Sequence, residues 1–160
     1  MPLCVVDDDR LTELSLSALF IAAFLAATPI PFQSEVVFIG LQTAGQTPIW
    51  QLIVVASLAN TLGSVVTYYA GRGVSGRFAE RWLHIKPETL TKAERVFGRW
   101  GPICLLLSWA PGGDLLVAVS GALRLSLWKF LPVVAIAKTG RYIVVALATD
   151  QALDLFSLAG

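Results

Sequence analysis

The chain has 160 residues, of which 56% are hydrophobic and only 14% charged, and its formal net charge is +1. A soluble domain carries about a quarter charged residues, and a chain this short has too little interior to hide so much apolar surface, so the composition excludes an ordinary soluble fold. The near-neutral balance gives no reason to expect a nucleic-acid partner, and Cys4, Cys104 and a single histidine, His84, exclude a disulfide framework or a His-rich metal cluster.

The opening stretch, MPLCVVDDDR, is acidic where a signal peptide is basic, and no convincing small-residue cleavage site follows. The first hydrophobic segment is therefore expected to stay in the mature protein. That segment, Leu14 to Ala27, is short and ends at TPIP, where proline removes a backbone donor and breaks the helix. A second short run, Glu35 to Leu41, leads into QTAGQTP. A spanning helix takes about 20 apolar residues, whereas runs of about 10–14 suit re-entrant or buried pieces. Two short legs joined at Pro29 and Pro31 predict a hairpin that enters the bilayer and leaves on the same side. Non-helical backbone at that depth must be buried in protein or face a cavity. Glu35 stands just after this tip, the only ionised side chain in the 58 residues from Leu14 to Gly71.

Ile49 to Gly71 is long enough to span. Trp50 near one end and Tyr68 and Tyr69 near the other fit interfacial belts, and Asn60 sits near the middle. The character then changes. Seven of the twelve Lys and Arg residues lie between Arg72 and Arg99. Ser75 is placed to cap a short helix carrying Phe78 and Trp82, Pro87 breaks it, and a second helix is expected from Glu88 to Phe97. These read as surface helices at the headgroups, with the basic charge placing them in the cytoplasm. Gly71, Gly73 and Gly76 have dinucleotide-motif spacing, but a membrane span precedes them instead of a short strand, so they mark a helix end.

The third part repeats the first. GPICLLLSWAPGGDLLVAVSGAL is a short leg, a tip at Pro111, Gly112 and Gly113, an acid and another short leg; SLWKFLPVVAIAKTGRYIVVALATD is again a full span. Glu35 corresponds to Asp114, Trp50 to Trp128 and Asn60 to Lys138. The predicted architecture is all-α and membrane-integral, a single domain over 1–160. Residues 11–71 form one repeat, 72–99 the basic amphipathic cytoplasmic linker, and 100–149 the second repeat. Counting crossings inverts the two halves, and inverted repeats with broken helices meeting at mid-membrane are a signature of transporters.

Both acids occupy the first residues after a break, where a helix N-terminus exposes free N–H groups and a partial positive charge. An ionisable group deep in the bilayer costs several kcal/mol and is a functional hypothesis by default; the structural alternative is that the acids cap shallower hairpins at the interface. Lys138 and Arg141 lie on one face of the last span, where they either balance the acids, bind an anionic headgroup, or form a buried ion pair that fixes packing. Ser108 and His84 have no triad context, so no enzyme chemistry is indicated, and no metal or cofactor is expected.

The segments PFQSEVVFIG, LANTLGS, KAERVFGRWG, LLLSWAPGGDLLVAVSGALRLSLW and IAKTGRYIVVALAT together resemble the DedA/VTT membrane protein family, also called SNARE-associated-Golgi-like, in its YqaA-like branch. The likeness spans Leu16 to Thr149. It implies two opposed re-entrant hairpins, a plasma-membrane location and a link to moving lipids or undecaprenyl phosphate, with possible proton coupling; Glu35 matches the family's acid after the first tip. The main branch places two arginines around the second tip. Here Ser108 and Asp114 stand there instead, and Lys138 and Arg141 are the cations nearest to hand.

The expectation is a small transporter or lipid-phosphate translocase. Glu35 and Asp114 take up and release protons, Lys138 and Arg141 provide counter-charge or hold an anionic substrate, Asn60 supplies neutral hydrogen bonds, and the glycines let the second tip bend. The expected partners are membrane lipids, polyprenyl phosphate or a phospholipid headgroup, protons, and further copies of the chain in a homo-oligomer, because two spans wall in little of a polar path. The alternative is a non-transporting scaffold whose basic linker recruits a partner or anionic lipid.

Overall fold

A computed structural model of the chain describes residues 8–28, 33–73, 87–110 and 113–158. Pro29, Pro31, Pro111 and Gly112, together with the expected short helix around Phe78 and Trp82, lie outside them. Every regular element among the described residues is helical. In chain order these are α1 (Asp8–Ala26), α2 (Ser34–Ala44), α3 (Ile49–Gly73), α4 (Pro87–Trp100), a 3-10 segment (Gly101–Trp109), α5 (Asp114–Ala122) and α6 (Leu127–Leu158).

Among the described residues, α3 and α6 alone are long and apolar enough to cross a membrane. They pack against each other and run antiparallel: Tyr68 stacks on Phe130 with ring centroids 4.6 Å apart, while Asn60, two turns earlier on α3, bonds Tyr142, three turns later on α6. Large apolar side chains point away from this pair, including Leu58, Leu62 and Val66 on α3 and Ile136, Val144 and Leu147 on α6. Its inner surface is small and polar, with Ala56, Ser57, Ala59, Asn60, Gly63 and Ser64 on α3. An apolar outside around a small-residue inside is the pattern of a helix packed in lipid, where close backbone approach replaces the hydrophobic drive between helices.

The shorter helices occupy opposite ends of the α3–α6 pair. α1 and α2 enclose one core with Leu19, Ala23, Phe38, Leu52, Ala56, Ala59, Tyr142 and Ala146. The 3-10 segment, α4 and α5 build the other around Tyr68, Phe97, Leu105, Val117, Val119, Phe130 and Val134. Two close approaches hold this second end together. A Cβ on Gly71 would stand 2.0 Å from the Ala118 carbonyl oxygen, and one on Gly121 would stand 1.9 Å from that of Tyr68. Only glycine lets α3 and α5 touch backbone to backbone here.

Three element boundaries differ from the sequence expectation. α1 is already helical at Asp8, six residues before the expected apolar run opens at Leu14. The first leg of the second repeat is a nine-residue 3-10 segment opened by Gly101 at φ 58° and Pro102. At about 2.0 Å rise per residue it reaches ~18 Å, further than an α-helix of equal length. α6 continues to Leu158, past Asp150, and contains Pro132 in its second turn, where only one helical hydrogen bond is forfeited.

Candidate functional site

The ends of the two broken helices converge on the middle of the α3–α6 pair. α2 starts at Ser34, whose hydroxyl lies 2.8 Å from the Tyr142 hydroxyl on α6. At its other end Gln42 donates to the Ala146 carbonyl and to Asp150, so α2 runs alongside α6 from mid-span toward the end of that helix. α5 starts at Asp114, whose carboxylate accepts a 2.6 Å bond from the Lys138 ammonium. α1 ends in the same region: Asn60 donates to the Ala23 carbonyl at 3.0 Å and Thr67 to the Ala27 carbonyl at 2.7 Å.

Four charged groups are thereby brought together. Glu35 is ion-paired with Arg141, and Asp114 with Lys138. Both cations come from α6, three residues apart, and each holds the carboxylate of a different short helix, α2 or α5. Glu35 and Asp114 thus each meet a cation of α6, which is the arrangement a low-dielectric interior favours, since like charges repel there most strongly. Two anions and two cations sum to zero, so the cluster carries no net charge to be solvated.

The two pairs are not equivalent. The Lys138 side chain is 0% exposed, whereas Arg141 is 21% and Glu35 24% exposed. Lys138 is sealed behind its partner; Arg141 can be approached. Gly113 stands at the N-cap of α5, where a Cβ would lie 2.5 Å from the Ser108 Cα, so the approach to Asp114 is also backbone on backbone. The Asn60 Oδ1 and the Ser57, Ser64 and Ser108 hydroxyls are buried without a partner among the described residues. Ser57, Asn60 and Ser64 share one face of α3 and line its inner side with unspent hydrogen-bonding capacity.

Sequence reasoning singled out Glu35, Asp114, Lys138, Arg141 and Asn60, and the fold gathers all five. It missed Tyr142 and Ser34. Tyr142 is fully buried and accepts a second hydrogen bond from the Asn60 amide at 3.2 Å. The available signal was position: tyrosines in spans favour the interfaces, whereas this one stands next to Arg141 in the middle.

A family model described as the VTT domain matches residues 30–151, from the first tip past the last site residue. The chain is 36% identical over 141 residues to "Inner membrane protein YqaA" of Escherichia coli (strain K12), an alignment covering 88% of this chain and 94% of that protein. The same figures hold for the protein of that name in Shigella flexneri. An uncharacterized protein of Haemophilus influenzae is 36% identical over 137 residues, covering 81% and 83% of the two chains. No solved structure matches the chain.

Proposed function

Because the chain belongs to the VTT-domain (DedA) family of membrane proteins, we propose that it is a small transporter that moves an anionic lipid headgroup, a lipid phosphate, across the plasma membrane. The observation that carries this reading is the pair of cations on α6, each neutralised by a carboxylate from a different short helix. When a carboxylate takes up a proton it releases its cation, and the cluster becomes net positive. An anionic headgroup then replaces the carboxylate on the cation; loss of the proton restores the ion pair and expels the headgroup. Substrate and proton so compete for the same charge, which is what couples them.

Arg141 is the group that meets the headgroup. It is reachable where Lys138 is not, and a guanidinium offers a planar fork that matches two phosphate oxygens. The Asp114–Lys138 pair holds the second hairpin in place. Asn60 and the serines of α3 supply neutral hydrogen bonds along the route.

In this reading the hairpins are re-entrant and opposed, and the halves are inverted. The supporting geometry is that α2 and α5 both start at the depth of residues 60 to 64 of α3 and end toward opposite ends of the α3–α6 pair. The linker side is cytoplasmic because it carries the basic residues. Homo-oligomerisation would complete a wall that two spans cannot form alone. The relatives named as inner membrane proteins support the plasma-membrane placement.

The test is flux of lipid phosphates in liposomes containing the purified protein, with and without a pH gradient. Wild type accelerates transfer and responds to the gradient, and Glu35→Gln falls to the protein-free background while inserting normally. Wild-type-like flux in Glu35→Gln removes the mechanism.

A further inference from the structure

The Tyr142 hydroxyl takes no part in the charge exchange, yet it is bonded from two directions in the centre of the fold. It meets Ser34 Oγ at 2.8 Å and accepts from Asn60 Nδ2 at 3.2 Å, while its ring lies against Phe38 with centroids 5.4 Å apart. Consecutive residues of α2, Ser34 and Glu35, thereby face consecutive residues of α6, Tyr142 and Arg141. One contact is neutral and fully buried, and the other is ionic and partly open.

The neutral contact governs the ionic one geometrically. Successive residues of a helix point about 100° apart, so α2 can present Glu35 to Arg141 only in a narrow range of rotations about its axis. Gln42 anchors the far end of α2 on Ala146 and Asp150, and the bond between Ser34 and Tyr142 fixes the orientation of its start, beside Glu35. Asn60 ties the same hydroxyl to α3, and its amide also reaches α1 through the Ala23 carbonyl. One phenol thus joins the first hairpin to both spans.

We infer that Tyr142 is the positioning residue for the start of α2: its hydroxyl pins Ser34 and so sets Glu35 on Arg141. The consequence for flux rests on the transport reading above; the pinning itself does not.

The experiment compares Tyr142→Phe, Ser34→Ala and the double variant with wild type, using amide hydrogen exchange in lipid nanodiscs and lipid-phosphate flux in liposomes. Tyr142→Phe keeps the ring against Phe38 and removes only the hydroxyl. Each single variant should speed exchange across residues 33–44 by several-fold to about tenfold, as expected for one buried hydrogen bond, and leave residues 113–122 unchanged. The double variant should be little faster than Tyr142→Phe, because both changes remove the same bond. Flux should fall in both single variants although Glu35 and Arg141 are intact. Unchanged exchange in 33–44, or an equal rise in 33–44 and 113–122, overturns the assignment. A loosened 33–44 with wild-type flux supports the pinning and overturns the claim that it sets Glu35 for transport. If wild type itself moves no lipid phosphate, the transport reading fails, and the exchange comparison alone still decides whether Tyr142 pins the start of α2.

Discussion

Asp114 and Glu35 occupy corresponding places, but their removal should be felt differently. Lys138 is wholly enclosed, so Asp114→Asn leaves an uncompensated ammonium in the interior. Breaking one partner of a buried pair costs about 3–5 kcal/mol, and thermal unfolding in detergent should show that loss. Asp114→Asn with Lys138→Met removes both charges and should recover most of the stability. Glu35→Gln should cost much less, because Arg141 keeps partial access to its surroundings; its effect falls on flux. Arg141→Lys retains the charge but loses the fork, so it should weaken lipid-phosphate transfer while the protein stays folded. The charged members of this cluster were legible in the sequence because ionised residues are rare in so apolar a chain, and the repeat aligned them. Ser34 and Tyr142 were not, since serine and tyrosine are unremarkable in a span until the fold shows their hydroxyls meeting.

Among the elements, the contact between α3 and α5 leaves the least room. Gly121→Val places a branched side chain where even one carbon would lie 1.9 Å from the Tyr68 carbonyl oxygen. Overpacking of this kind costs about 1–3 kcal/mol or more, and the variant should show reduced yield and a lowered unfolding temperature. Gly40→Ala on α2, where nothing lies within 4 Å, should be neutral by the same measures. The spans and the breaks between legs were readable from run length and proline. The 3-10 form of Gly101–Trp109 was not, because an apolar run of nine residues has the same composition in either helix type. α4 separates transport from recruitment: Lys92, Arg95 and Arg99 are exposed there. Reversing them should leave flux close to wild type, whereas a scaffold acting through the basic linker would be crippled.

For the molecule as a whole, charge exchange on α6 requires α2 and α5 to start deep in the bilayer. The all-α membrane architecture was evident from composition. The meeting of α2 and α5 on α6 was not, since it depends on which faces of α3 and α6 pack, and the expected repeat alone does not determine that. The most direct measurement is accessibility of single cysteines, in a background lacking Cys4 and Cys104, to membrane-impermeant thiol reagents applied from each side. Gln46→Cys, after α2, should react only from outside, and Ser126→Cys, before α6, only from the cytoplasm. Gln33→Cys and Ala110→Cys, beside the two tips, should resist reagent from both sides. If Gln33→Cys reacts from outside as fast as Gln46→Cys, or Ala110→Cys from the cytoplasm as fast as Ser126→Cys, that tip lies at the headgroups, and the central charge exchange on α6 is contradicted.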